Sequence, residues 1–198
     1  PYETLYTWEL PYAKWFLGGK LNVAHNCVDR HVEAGLGNRV AYHWEGEPGD
    51  TRTITYADLL HDVVRFANAL KELGVGKGTK VAIYMGMIPE LAIAMLACTR
   101  LGAPHTVVFG GFSADSLSDR INDMGCEVLI TQDEARRRGS TVPLKAIADE
   151  AMAAAPKVRR AVMLQRTHAD VPMTDGRDVT WADAIRDESD DPATCPCE

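Results

Sequence analysis

The sequence lacks an excess of positive charge, because 28 Asp and Glu residues outnumber 21 Lys and Arg residues. The formal net charge is −7 and the pI is ≈ 5.4. Nucleic acids and membrane surfaces are negatively charged and attract basic proteins. The charge balance therefore argues against either of them as the main binding partner.

The sequence also lacks the cysteine pattern of a disulfide-rich secreted protein. Its five cysteines are scattered and odd in number, which is typical of reduced thiols inside a cell. The first residues, PYETLYTWEL, contain neither the basic nor the apolar region of a signal peptide. These observations predict a cytoplasmic location. The first residue is not Met, which allows the sequence to be a fragment of a longer protein.

No long apolar run is free of interruptions. The stretch 81–99 carries one charged residue, Glu90, but Gly86 and Pro89 fall inside it and charges flank it closely. A transmembrane helix needs about 20 predominantly apolar residues in one continuous helix. We interpret this stretch as a buried strand followed by a helix that Pro89 begins.

Residue spacing alone identifies no catalytic motif. The sequence contains no GxxxxGK[ST] phosphate loop, no nucleophile elbow and no cluster of metal ligands. His25 and His31 are six residues apart, which does not place them on one helix face as a metal pair. Cys195 and Cys197 have no second cysteine pair nearby, so they do not form a zinc site.

What the sequence does contain is a regular alternation between residues 80 and 131. Three short apolar runs, at Val81–Met85, His105–Val108 and Glu127–Thr131, alternate with two helical patterns. This alternation is typical of βαβ units and a parallel sheet. We predict an α/β fold in which a mostly parallel sheet has helices on both faces.

The middle strand of this alternation ends in Phe109-Gly110-Gly111, and Ser113 then suits the N-cap of a helix. Two glycines before a free helix N-terminus could let a polar or anionic ligand meet backbone N–H groups. We expect Gly111 to be required either by a positive φ or by close approach of a ligand. Many turns of this kind bind nothing, so the pattern leaves the question open.

Three consecutive arginines, Arg136, Arg137 and Arg138, follow the third strand in the run QDEARRRGS. One interpretation is a solvated turn. The other is a phosphate site, because guanidinium groups match phosphate oxygens in geometry and charge. The loop should open at the same carboxyl edge of the sheet as the glycine pair, where open α/β sheets bind ligands.

The flanking regions complete the predicted organisation. Residues 1–20 are expected to be an irregular aromatic arm, and residues 21–186 an α/β domain that begins with a helix at 22–34. That helix should bury Val23 and Cys27, with Val28 as a further candidate. A β-hairpin and a capping box at Thr55 and Asp58 should follow it. Residues 187–198 are acidic and are expected to be a loose linker or the cut edge of a longer chain.

Colinear runs along the sequence carry a family resemblance. The main ones are WFLGGKLNVAHNCVDRH, ITYADLLHDVVRFANALKELGVGKGTKVAIYMGMIPELAIAMLACTRLGAPHTVVFGGFSADSL, ITQDEARRRGSTVPLK and GRDVTWADAI. They extend over almost all of the chain. They resemble the acetyl-CoA synthetases, a family of acyl-CoA synthetases in the adenylate-forming superfamily.

The resemblance implies an activity for the parent protein. These enzymes make an acyl-adenylate and pyrophosphate from an acid and ATP with Mg²⁺, and then pass the acyl group to the thiol of CoA. The parent is therefore expected to be an AMP-forming acetate–CoA ligase whose substrates are acetate, ATP and CoA. The family's phosphate loop, metal-binding residues and acyl pocket would lie beyond Glu198, so the remainder of the synthetase is the implied partner. On its own, this 198-residue polypeptide is expected to show no acid-dependent ATP–pyrophosphate exchange.

The resemblance also implies four site residues. Phe109, Gly110 and Gly111 match the family segment beside the CoA nucleotide, and Arg137 matches an arginine that contacts a CoA phosphate. Close relatives have a second basic residue where this chain has Ser140. Phosphate binding is therefore expected to be weaker, or supplied by one of the two neighbouring arginines.

Two alternatives come from other functional classes. A Rossmann-type oxidoreductase is disfavoured, because the glycine pair lacks GxGxxG spacing and no apt acidic residue ends the next strand. A non-catalytic interaction domain derived from a synthetase is the second alternative, and the residues that follow Glu198 would decide it.

Overall fold

The structure, a computed structural model, describes residues 2–198, which form strands β1–β11 and α-helices α1–α6. The strands are β1 (Thr4–Glu9), β2 (Tyr12–Leu17), β3 (Val40–Glu45), β4 (Thr51–Thr55), β5 (Val81–Met85), β6 (His105–Phe109), β7 (Val128–Gln132), β8 (Ala135–Arg137), β9 (Ser140–Val142), β10 (Arg160–Leu164) and β11 (Asp178–Thr180). The helices are α1 (Arg30–Glu33), α2 (Tyr56–Glu72), α3 (Pro89–Arg100), α4 (Ala114–Met124), α5 (Leu144–Ala153) and α6 (Trp181–Ile185).

Five of the strands form one parallel sheet in the order β11-β10-β7-β5-β6. The other six form three antiparallel two-stranded sheets, β1–β2, β3–β4 and β8–β9. The three strands predicted between residues 80 and 131 are confirmed, and their ends agree within one residue. The predicted α/β class is therefore correct.

Helices cover both faces of the parallel sheet. In β5, Val81, Ile83 and Met85 face one core, which contains residues of α2, α3 and α6. The alternate residues Ala82 and Tyr84 face a second core, which contains residues of α4 and α5. This division follows from the two-residue period of a strand. Because both faces of β5 are buried, its sequence is apolar throughout.

Short-range signals set the ends of the helices as predicted. The Thr55 hydroxyl accepts a hydrogen bond from the Asp58 N–H, and the Asp58 carboxylate accepts one from the Thr55 N–H. Ser113 caps α4 through a bond from the Ser116 N–H, and Gly125 ends that helix with a φ of 71°. Each of these caps satisfies backbone groups that the helix leaves unpaired.

The N-terminal prediction was wrong in one respect, because the segment is regular. The strands β1 and β2 pair antiparallel, and Tyr6 and Trp15 face each other across them with ring centroids 5.2 Å apart. Aromatic cross-strand pairs stabilise a hairpin. Most aromatic side chains of this hairpin are exposed.

The helix predicted at 22–34 was also wrong in its buried face. A π-helix at His25–Asp29 precedes the short α1, and Val23 and Cys27 are exposed. The i→i+5 bonding of a π-helix adds a residue to the turn and so changes which side chains face inward. Of the three residues named for the buried face, Val28 alone is buried, and Asp29 beside it is buried as well. The Asp29 carboxylate is tolerated there because it pairs with Arg100 of α3.

The acidic C-terminal segment packs against the domain and is not loose. Cys195 is buried, and its carbonyl oxygen accepts a hydrogen bond from the Arg100 Nε at 2.5 Å. The Asn68 side chain donates to the Thr194 hydroxyl at 2.7 Å, and the Glu198 N–H donates to the Arg100 carbonyl at 2.9 Å. Within residues 2–198, no helix has the length and apolar character needed to span a bilayer.

Candidate functional site

A cavity of ≈ 400 Å³ opens at the carboxyl edge of the parallel sheet. Its lining comes from the ends of β5 and β6, the turn between β3 and β4, and the strand β8. The lining combines apolar side chains with guanidinium groups, as a site for a ligand with an apolar part and an anionic part requires. The principal contributors are Trp44, Met85, Ile88, Phe109, Arg136 and Arg137.

The predicted glycine turn forms one wall of this region. Phe109 ends β6, and its carbonyl accepts a hydrogen bond from the Phe112 N–H at 3.0 Å, which closes the turn. Gly110 has little free space, since an added Cβ would lie 3.3 Å from the Met85 carbonyl oxygen. The glycines of positive φ in the described chain do not include Gly110 or Gly111. Of the two reasons expected for Gly111, a positive φ is therefore excluded, and close approach of a ligand stays a prediction.

What constrains Gly111 is the close approach of Arg137. An added Cβ at Gly111 would clash with the Arg137 Nη1 and lie 2.8 Å from the Phe109 Cε1. The Arg137 guanidinium carbon lies 4.5 Å from the centroid of the Phe109 ring, a cation–π contact. The structure therefore brings together all four predicted residues, and the prediction that both segments meet at one sheet edge is confirmed.

The arginine run forms a β-hairpin, and the turn expected from the sequence is the tip of that hairpin. Arg137 pairs with Ser140, and the two-residue turn between them has φ values of 51° at Arg138 and 73° at Gly139. Two consecutive positive φ values match the twist of a tight hairpin. Among residues 2–198, the cavity lining includes Arg136 and Arg137 but not Arg138.

The Arg137 side chain is half-buried, and its guanidinium group makes no hydrogen bond or ion pair with any residue in the range 2–198. A third cation of the cavity, Arg166, differs in this respect. Its guanidinium carbon lies 5.4 Å from the Trp44 ring centroid, and it forms an ion pair with Asp50. Arg137 is thus the cation whose N–H groups are most available to an anion.

Sequence reasoning missed three residues that hold this region together. The Tyr84 hydroxyl donates to the Phe112 carbonyl at 2.8 Å, and burial raises the pKa of Tyr84, so the hydroxyl stays protonated. The Glu47 carboxylate accepts a bond from the Gly139 N–H at 2.6 Å. Asp133 is buried at the end of β7. Only Tyr84 had a signal in the sequence, since a phenol inside a buried strand needs a hydrogen-bond partner.

Two family models together match almost the whole chain. Residues 28–196 match a family model described as AMP-binding enzyme, and residues 1–27 match one described as acetyl-coenzyme A synthetase N-terminus. An acetyl-coenzyme A synthetase of Mycolicibacterium smegmatis is 54% identical over 191 residues, which cover 96% of this chain and 20% of that protein. One of Methanothrix thermoacetophila is 52% identical over 199 residues, which cover 100% of this chain and 30% of that protein.

A solved structure shares the fold. The acetoacetyl-CoA synthetase from Streptomyces lividans matches with a TM-score of 0.86 and 25% identity, covering 100% of this chain and 29% of that one. The chain thus spans 20–30% of the length of these three relatives.

Proposed function

Because this chain belongs to the AMP-binding enzyme family, we propose that it is the N-terminal portion of an AMP-forming acetate–CoA ligase. The longer protein, called the parent synthetase below, would convert acetate, ATP and CoA to acetyl-CoA, AMP and pyrophosphate through acetyl-adenylate. Two observations support this choice of acid. Residues 1–27 match the acetyl-coenzyme A synthetase N-terminus model, and relatives with that name are more than half identical to this chain.

Within the parent synthetase, this segment would bind CoA. Phe109, Gly110 and Gly111 would lie beside the CoA nucleotide, and Arg137 would bind a CoA phosphate. The observation that carries the proposal is the guanidinium group of Arg137, which lies over the Phe109 ring without a carboxylate partner among the described residues. Planar N–H groups of this kind bind phosphate oxygens well.

Arg136 is the better candidate for a second phosphate contact. Its guanidinium donates to the Thr141 hydroxyl at 2.8 Å and lines the same cavity as Arg137. Arg138 lies in the turn, away from the lining of the cavity. Arg136 would therefore compensate for Ser140, the position at which the family resemblance implies a second basic residue.

ATP and Mg²⁺ would bind to other parts of the parent synthetase, as the family resemblance implies. Within residues 2–198, no group of three or more His, Cys, Asp or Glu side chains is arranged to hold a metal ion. The cytoplasmic location also remains a proposal, supported by the five free thiols. Because the chain belongs to the AMP-binding enzyme family, the Rossmann-type oxidoreductase is no longer an alternative. The non-catalytic interaction domain remains the competing function.

Replacing Gly111 with Ala in the parent synthetase tests the CoA site. The new methyl group would occupy space held by the Arg137 guanidinium and the Phe109 ring, so both must shift. Overpacking typically costs about 1–3 kcal/mol, and the flexible Arg137 side chain favours the low end. We expect the KM for CoA to rise about fivefold, the equivalent of about 1 kcal/mol. The rate of acetate-dependent ATP–pyrophosphate exchange should not change, because that half-reaction does not use CoA.

Gly76 offers a matched control. An added Cβ there would meet no atom within 4 Å, and Gly76 is not among the glycines of positive φ. Gly76→Ala should therefore leave both half-reactions at their original rates. A CoA KM in Gly111→Ala equal to that of Gly76→Ala would contradict the proposed site. Absence of any CoA-dependent activity in the unmodified parent would favour the non-catalytic interaction domain.

A further inference from the structure

Asp133 follows β7 directly at the carboxyl edge of the sheet, and its side chain is fully buried (0% exposed). Its carboxylate accepts hydrogen bonds from four backbone N–H groups, those of Glu134 at 2.7 Å, Arg166 at 2.8 Å, Thr167 at 3.0 Å and Ala169 at 3.2 Å. The Thr167 hydroxyl lies 3.2 Å from this carboxylate and 2.9 Å from that of Glu134, so its one proton is shared between the two.

These donors are all uncharged, and no ion pair to Asp133 exists within residues 2–198. A buried carboxylate is tolerated when several backbone N–H groups satisfy its oxygens. An arrangement of this kind holds the contributing backbone segments in a fixed relation, because a shift of any one leaves charge unsatisfied. Asp133 therefore connects the residue that enters the arginine hairpin with the loop that follows β10.

The backbone of Asp133 extends this connection. Its N–H donates to the Leu164 carbonyl at 2.9 Å, and its carbonyl accepts a bond from the Lys145 N–H at 3.0 Å. Glu134 precedes the β8–β9 hairpin and Lys145 lies in the first turn of α5, which follows it. Asp133 thus bonds to the chain on both sides of the hairpin that carries Arg137.

The hairpin needs such support, since its ladder contains only three residue pairs. An isolated two-stranded hairpin is at best marginally stable. The tip of the hairpin is exposed. There the Gly139 N–H donates a hydrogen bond to the Glu47 carboxylate. At its base, the Glu134 N–H is bound by the Asp133 carboxylate, and the Glu134 carbonyl accepts a bond from the Gln132 side chain at 2.6 Å. The direction in which Arg137 points is therefore set at the base.

We propose that Asp133 is a positioning residue for CoA binding, which holds the β8–β9 hairpin so that Arg137 lies beside Gly111 and over the Phe109 ring. This inference rests on the proposed function of Arg137. It assigns to Asp133 no contact with CoA. The carboxylate acts only through the position of the hairpin.

Asp133→Asn in the parent synthetase tests this role. Asparagine has nearly the same volume, but one carboxylate oxygen becomes an NH₂ group that cannot accept a bond. The hairpin base should shift, and we expect the KM for CoA to rise about threefold, because a small misplacement of a binding group weakens binding without abolishing it. Acetate-dependent ATP–pyrophosphate exchange should keep its original rate.

A double variant shows whether Asp133 acts through Arg137. If it does, Asp133→Asn should change the KM for CoA by less than about 1.5-fold in an Arg137→Ala background, since effects on one shared interaction are not additive. A threefold effect that persists in this background overturns the inference. So does an equal loss in both half-reactions, which would indicate a purely structural role.

Asp178 is the matched control. Its carboxylate is also fully buried and hydrogen-bonded, but it begins β11 at the opposite edge of the sheet and pairs with Lys145 and Arg177. Asp178→Asn should lower the stability of the fold without raising the KM for CoA. At temperatures where both variants are folded, Asp133→Asn should raise the KM for CoA and Asp178→Asn should not.

Thr167→Val keeps the inference testable should Asp133→Asn fail to fold. It removes only the hydroxyl that lies within hydrogen-bond distance of Asp133 and Glu134, and it should raise the KM for CoA about 1.5- to twofold, roughly half of the asparagine effect in free energy. An unchanged KM for CoA in Thr167→Val would then overturn the inference. The proposed function fails separately, when Arg137→Ala alone leaves the KM for CoA unchanged.

Discussion

Arg137→Ala in the parent synthetase is expected to raise the KM for CoA about tenfold while pyrophosphate exchange keeps its original rate. A hydrogen bond to a charged group contributes about 1.5–3 kcal/mol, which corresponds to about 10- to 150-fold in affinity. Arg137 is half-buried at the mouth of the cavity, so water and salt screen the contact and favour the low end. Steady-state kinetics with CoA as the varied substrate provide the measurement.

Arg138 supplies the control for this change. It belongs to the same hairpin and carries the same charge, but it lies in the turn and does not line the cavity. Arg138→Ala should therefore change the KM for CoA by less than about twofold, the effect of removing a distant screened charge. An increase in Arg138→Ala as large as in Arg137→Ala would mean that the net charge of the hairpin matters and not the position of one guanidinium group.

Asp29→Ala is expected to destabilise the fold by about 3–5 kcal/mol, the usual cost of leaving one buried charge without its partner. Arg100 is 1% exposed, and its Nη1 donates to both oxygens of Asp29, at 2.7 and 2.9 Å. The same guanidinium holds the Cys195 carbonyl, so the C-terminal segment should loosen as well. Urea denaturation of the 198-residue chain measures the free energy of unfolding.

An exposed ion pair in the same molecule provides the control for the destabilisation expected in Asp29→Ala. Arg159 and Glu127 lie 3.2 Å apart, and both side chains are more than 40% exposed. Glu127→Ala should change the free energy of unfolding by about 0–1 kcal/mol, because exposed ion pairs contribute little. Equal destabilisation in Asp29→Ala and Glu127→Ala would show that the pair between Asp29 and Arg100 is accessible to water.

The parts of the fold that could be predicted from the sequence are those set by near neighbours. The box of Thr55 and Asp58 spans three residues, and the caps at Ser113 and Gly125 involve only the adjacent turns. The strand β5 was predicted because five consecutive apolar residues fit a strand buried on both faces. In each case the physical signal lies within a few positions of the element that it defines.

The remaining parts depend on contacts between distant positions. The bond between Arg100 and Asp29 joins residues 71 positions apart, and it explains both the buried face near the N-terminus and the packed C-terminal segment. Without knowledge of its partner Arg100, the Asp29 carboxylate is expected to lie on the exposed face of its helix, because an unpaired charge is costly to bury. Asp133 was missed for the same reason, since its donors Arg166, Thr167 and Ala169 lie more than 30 positions away.

One part of the candidate site could be predicted from the sequence, and another part could not. The parallel strand order predicted that the glycine turn and the arginine run would meet at one edge of the sheet. The reason for a glycine at position 111 could not be predicted, because it is the side chain of Arg137 that occupies the space and not a backbone angle. The hairpin form of the arginine run was hidden as well, since no glycine pair or Asn-Gly marks its turn.

The central claim is that Arg137 binds a phosphate of CoA, and a comparison of CoA with dephospho-CoA tests it most directly. We expect the 3′-phosphate to be the contact, so the KM for CoA should be about tenfold higher in Arg137→Ala than in the unmodified parent synthetase. With dephospho-CoA, which lacks that phosphate, the two enzymes should have the same KM. An unchanged KM for CoA in Arg137→Ala would contradict the claim and leave the arginine hairpin without a role in binding.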